Sequence, residues 1–135
     1  MRHTSLTGVW SGAYRYPNNA SPETVFNADM EEVGGAFVGS TQEPNLFAAS
    51  LATVLTAEIE GVREGAAVTF TKFYHDGGIK HAIRYEGTVD DGLTRIDGRW
   101  SISGEWSGTF FMTREDDGAG AETKMSAEAT IEKRR

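Results

Sequence analysis

The chain contains no cysteine, which removes disulfides, thiol catalysis and cysteine-bound metals from consideration. It has only three prolines. No apolar run approaches the ~20 residues that a membrane-spanning helix needs. Basic residues are in the minority, 13 Lys and Arg against 20 Asp and Glu, giving a formal net charge of −7. That balance argues against nucleic acid, which demands a basic face, and against an anionic membrane surface. The opening residues MRHTSLTG carry no apolar stretch of the secretory kind, so the cytoplasm is the expected compartment. The three histidines, His3, His75 and His81, show no metal-ligand spacing, and neither a metal nor another cofactor is expected.

What the chain does have is glycine, 16 in 135 residues, at positions that punctuate alternating segments. Two segments match: LTGVWSGAYRY at 6–16 and ISGEWSGTFFMTR at 102–114. Both carry G-x-W-S-G followed by alternation of period two, a strand signal. Between them the same alternation predicts strands over 24–33, 36–43, 53–63, 67–75 and 79–89. The closing part divides into strands over 93–102 and 104–113. Gly34-Gly35, Glu64-Gly65, Asp76-Gly77-Gly78 and Asp90-Asp91-Gly92 are the turns. Eight strands with short connections and no convincing helix predict an all-β, eight-stranded antiparallel up-and-down barrel. The expected domain is 1–114. The tail, 115–135, is expected as a short helix or a disordered end.

Parity gives the interior. If Trp10 points in, so do Gly8, Gly12, Tyr14 and Tyr16. They are joined by Phe26, Ala28, Met30, Phe37, Thr41, Glu43, Val68, Phe70, Lys72 and Tyr74. The later strands add His81, Ile83, Tyr85, Ile96, Trp100, Trp106, Phe110 and Met112. Glycines of the same parity, including Gly39, Gly98 and Gly108, are expected to leave volume. The aromatics either fill the barrel or frame a ligand. Glu43, His81 and Lys72 are the ionisable members; they either sit wet at a barrel mouth or are buried and functional. Glu43 and His81 are the candidate acid–base residues if the cavity is catalytic.

Several segments resemble the avidin/streptavidin group within the calycin barrels, which include the lipocalins. SLTGVWS is similar to the opening strand of that group and GAFVGSTQE to its third strand. IRYEGTVDDGLTRIDGRWSI is similar to the sixth and seventh strands, and the closing F-x-T-R falls on Phe111 to Arg114. The resemblance implies that Arg114, at the end of the last strand, lies over Trp10 and closes one barrel end. It places the aromatic frame of the ligand site on Phe70, Tyr85 and Trp100. It places the polar groups of that site on Gly12, Tyr16, Thr41, His81 and Phe110, and Glu43 or Ile83 at the carboxylate side. Gly12 and Phe110 offer no hydrogen-bonding side chain, so tight biotin binding is not expected. The haem-binding nitrobindin type also opens with G-x-W and Tyr-Pro, but it needs a histidine near the last strand, where this chain has none.

The expectation is therefore a protein that holds a small apolar or aromatic ligand, not biotin. Tyr14, Tyr16, Thr41, Glu43, Phe47, Phe70, His81, Tyr85, Trp100 and Phe110 are the candidate contacts. Leu46 and Phe47, in the apolar connection 44–50, are expected to cover the open end or a subunit contact. An enzyme using the same cavity and an interaction module with a filled barrel are the alternatives. The outward charges Lys80, Arg84, Glu86, Arg95, Asp97 and Arg99 put an avidin-type tetramer in doubt and favour a monomer or dimer.

Overall fold

The computed structural model describes residues 3–44, 54–74, 82–102 and 106–115. The eight strands are β1 (Gly8–Arg15), β2 (Thr24–Val33), β3 (Ala36–Pro44), β4 (Val54–Glu64), β5 (Ala67–Tyr74), β6 (Ile83–Val89), β7 (Arg95–Ile102) and β8 (Trp106–Arg114). Each pairs antiparallel with the next, and β8 returns to β1 with Trp10 opposite Arg114, so the sheet is a closed up-and-down barrel without an edge. The predicted helical or disordered tail falls on 116–135, outside the described residues. Among the described residues no helix is long and apolar enough to cross a membrane.

Turn chemistry fixes the ends. Gly34 and Gly35 both have positive φ, 62° and 87°, as the tightest hairpin between β2 and β3 requires. β7 starts at Arg95 and not at the predicted 93. Asp90 accepts hydrogen bonds from the Thr94 N–H, the Thr94 hydroxyl and the Arg95 N–H, which holds 90–94 as a turn with Leu93 at φ 56°.

Period-two alternation places one side chain in two inside the barrel. Trp10, Tyr14, Phe26, Ala28, Met30, Phe37, Val68, Phe70, Tyr85, Ile96, Trp100, Phe110 and Met112 are all buried. β4 adds Leu55, Ala57 and Ile59. The inward glycines do not leave the volume expected of them. A Cβ on Gly12 would stand 2.0 Å from the Phe111 carbonyl oxygen, and one on Gly98 2.0 Å from that of Glu86. At Gly8 the space is taken by the Arg114 guanidinium, 2.7 Å away. Glycine serves here to let the strands of a small barrel bend into close approach.

The two ends differ. At one, Arg114 lies 4.7 Å over the Trp10 ring. Its guanidinium donates to the carbonyls of Leu93 (3.0 Å), Thr7 (2.7 Å) and Ser5 (2.7 Å). Trp10 Nε1 donates to the Leu6 carbonyl at 2.9 Å, and Leu6 is fully buried. A planar fork with five donors suits three converging carbonyls. This end is closed. The last residues of β1, β3, β5 and β7 lie at the opposite end.

Candidate functional site

Toward that opposite end the interior turns polar. Glu43 on β3 and Lys72 on β5 are 1% and 2% exposed, with Lys72 Nζ 2.5 Å from Glu43 Oε1. The strands are not neighbours; both residues have inward parity, and the narrow barrel brings them together across β4. Tyr74 donates to the same carboxylate oxygen at 2.9 Å, and Tyr14 donates to Oε2. Lys72 also reaches the Tyr85 hydroxyl at 3.5 Å and stands 4.9 Å over the Tyr14 ring and 4.8 Å over that of Tyr74. The two charges are thus enclosed by aromatic faces and phenols. Neither is the wet mouth residue that the sequence allowed.

Burial acts to lower the Lys72 pKa, but the Glu43 carboxylate beside it, with the tyrosines, holds it well above its ordinary 10.5. Burial pushes the Tyr14 phenol well above its usual range, and Glu43 pushes it the same way. Tyr74 and Tyr85 are also raised, by burial first. All three phenols are therefore neutral at physiological pH and Lys72 is a cation; Tyr14 and Tyr74 donate to Glu43, and Tyr85 accepts from Lys72.

Two groups of rings flank this cluster. On one wall Phe70 stacks on Tyr85 at 4.6 Å with 7° between planes, and Phe110 meets both edge-on at 5.9 and 5.0 Å. On the other, Tyr16, Trp100 and Trp106 form a triangle with centroids 5.2 to 5.6 Å apart. Tyr14 joins that group, 5.7 Å from Tyr16 and 6.2 Å from Trp100. Gly108 makes room for Trp100, whose Nε1 donates to the Arg15 carbonyl at 3.0 Å. Trp106 is 40% exposed, so the triangle reaches from the interior to solvent.

Thr24 and Thr41 face inward, 1% and 4% exposed; Thr24 lies beside the Tyr16 phenol, and the Thr41 hydroxyl has no hydrogen-bond partner among the described residues. Thr41 stands in register between Ala28 on β2 and Ala57 on β4, so its neighbours on both sides are small. A buried hydroxyl without a partner is costly unless water or a ligand group meets it.

The structure thus gathers Tyr14, Tyr16, Glu43 and Trp100 on one side, and Phe70, Tyr85 and Phe110 on the other, with Lys72 between them. Thr41 is one inward step from Glu43 along β3. Phe47 and His81 lie outside the described residues, as does the cover expected from Leu46 and Phe47. Lys72, Tyr74, Thr24 and Trp106 were not among the candidate contacts. Opposite charges of inward parity on the third and fifth strands were the available signal for Lys72. Among the described residues no group of three or more potential metal ligands occurs.

No family model matches the chain, and no curated protein matches it. Solved structures do. A redesigned β-barrel aligns with a TM-score of 0.65 and 12% identity, over 81% of this chain and 90% of that one. A de novo designed fluorescence-activating β-barrel aligns with a TM-score of 0.57 and 16% identity, over 80% of this chain and 92% of that one. At such identities the likeness is one of fold.

Proposed function

We propose that the protein is a small-molecule carrier that holds an apolar or aromatic ligand inside the barrel, entered from the end opposite Trp10. The observation that carries this reading is the inward hydroxyl of Thr41, buried between Ala28 and Ala57 without a partner among the described residues and one inward step from Glu43. A pocket that is mostly aromatic with a few converging polar groups is the usual chemistry of a small-molecule site. The second neighbouring structure is named as a fluorescence-activating barrel, which supports a role beyond packing for a barrel of this fold. The binding reading is preferred to the catalytic one because Glu43 already accepts hydrogen bonds from Lys72, Tyr74 and Tyr14. Both carboxylate oxygens are thus occupied, and a substrate would have to displace Tyr14, Tyr74 or Lys72 to reach them.

The reading includes kinship with avidin-type calycin barrels, supported by the opening and closing motifs and by the Arg114 fork over Trp10. It excludes biotin, because Gly12 and Phe110 stand where polar side chains would be needed. It also includes a water-facing outer wall. Asp29, Glu31, Glu58, Glu60, Arg84, Glu86, Arg95, Asp97 and Arg99 all point outward and exposed, where a lipid-facing barrel carries an apolar band. The same charges support a monomer or dimer that binds no nucleic acid.

The test is a tryptophan-fluorescence titration with matched probes, naphthol and naphthalene. Thr41→Val should weaken naphthol about 5- to 20-fold, the value of one hydrogen bond, and leave naphthalene unchanged. Absence of saturable binding of either probe to the wild-type protein would overturn the reading.

A further inference from the structure

The aromatic triangle at the end opposite Trp10 has a chemical property that packing alone does not use. Trp106, 40% exposed, contacts Tyr16 at 5.2 Å and Trp100 at 5.3 Å. Both contact Tyr14, at 5.7 and 6.2 Å. Tyr14 is buried and donates its phenolic proton to Glu43 Oε2. Indole and phenol are the side chains most readily oxidised by one electron, apart from the sulfur-bearing ones. Here four of them form an unbroken path from solvent to a phenol whose proton already points at a base.

We propose that this path is a hole relay: a one-electron oxidant in solution oxidises Trp106, and the oxidising equivalent passes inward to settle on Tyr14 as a neutral tyrosyl radical. The balance is simple. Trp106 gives one electron to the oxidant, an outer-sphere metal complex or a peroxyl-type radical, and the indole is refilled through Trp100 or Tyr16. Tyr14 supplies the last electron. Its O–H bond breaks as the proton forms an O–H bond with Glu43 Oε2. No atom enters or leaves the protein.

The groups around Tyr14 favour this end point. Lys72 stands 4.9 Å over the ring, and a cation there opposes an intermediate radical cation, so electron and proton leave together. Trp100 Nε1 donates to a backbone carbonyl, which is a poor proton acceptor. Tyr74 and Lys72 continue to hold Glu43 Oε1 while Oε2 takes the proton. Phe26, the remaining ring against Tyr14, is not oxidised under these conditions. The inference is independent of whether the barrel carries a ligand.

The experiment is laser flash-quench of the full chain with photogenerated tris(bipyridine)ruthenium(III), read by transient absorption and electron paramagnetic resonance. In the wild type a tryptophan radical should decay into a tyrosyl radical, more slowly in heavy water. Tyr14→Phe should abolish most of the tyrosyl signal and leave a long-lived tryptophan radical. Trp106→Phe, at a half-exposed position and with its fold checked by circular dichroism, should lower the yield of buried tyrosyl radical at least 5-fold. A tyrosyl signal that survives Tyr14→Phe, or a yield unchanged by Trp106→Phe, would overturn the relay. If Tyr14→Phe does not fold, the Trp106→Phe yield and the isotope effect decide the matter alone.

Discussion

The Lys72 ammonium and the Glu43 carboxylate lie 2.5 Å apart inside the barrel, on strands that do not pair with each other. The pair is almost wholly removed from water, so its attraction must offset the desolvation of two ions. The phenols of Tyr14 and Tyr74 complete the carboxylate's hydrogen bonds. The desolvation of the two ions offsets most of their attraction, so the intact pair adds little net stability.

Removing one member should therefore cost far more than removing both. Lys72→Met leaves a buried carboxylate and Glu43→Gln a buried ammonium; each should cost ~3–5 kcal/mol. The double variant keeps an amide oxygen for Tyr14 and Tyr74 and should lie within ~2 kcal/mol of wild type. Urea denaturation at constant m-value reads all three. Additive losses would mean that the two charges do not interact in solution.

Stability should also respond to pH at both extremes, with a plateau between. The folded pKa values of Lys72, Tyr14, Tyr74 and Tyr85 are raised above ordinary values of 10.5 and 10.0. The folded chain then holds more protons than the unfolded one at alkaline pH. Their contribution is complete below pH 10 and is lost as pH rises beyond it. At the acid side desolvation opposes ionisation of Glu32, but hydrogen bonds from Arg63 and from the Leu6 N–H hold its pKa below 4.5. Its contribution is present above pH 4.5 and fades as pH falls. Chemical denaturation at a series of pH values, repeated with Lys72→Met, should show a shallower alkaline limb in the variant.

Arg114→Ala should lower stability by ~2–4 kcal/mol, because it exposes the Trp10 ring and leaves the carbonyls of Ser5, Thr7 and Leu93 without their donor. Arg114→Lys should recover less than half of that loss, since an ammonium cannot reproduce the planar fork. Thermal melts of the three proteins measure it, and equal melting would remove the closing role of this residue.

Two glycine substitutions should separate crowding from backbone conformation. Gly98→Ala drives a Cβ to 2.0 Å from the Glu86 carbonyl oxygen and 2.5 Å from the Gly87 Cα, backbone atoms that cannot swing away. A loss of ~3 kcal/mol or more is expected there. Gly34→Ala meets nothing within 4 Å but must adopt φ 62°, which should cost only ~1–2 kcal/mol. Comparable losses at the two sites would contradict the close approach of β6 and β7.

The sequence by itself determined the strands and their faces. Side chains alternate across a strand whatever the strand packs against, so LTGVWSGAYRY could be read as Trp10, Tyr14 and Tyr16 on one face before any fold was known. Matching segments at both ends of the alternating region implied that the first and last strands pair, and paired glycines located the turns. Within the site, this parity already pointed Tyr14, Thr41, Glu43, Lys72 and Tyr85 inward. Distances across the lumen are a different matter, because they depend on how tightly eight strands close. Only the tertiary structure decided that Glu43 and Lys72, 29 positions apart, meet and are dry. It also decided that the inward glycines are filled by neighbouring carbonyls, and that Tyr16, Trp100 and Trp106 touch in one cluster reaching solvent. Alternation is a property of one strand and can be read locally; contact across a barrel is a property of all eight and cannot.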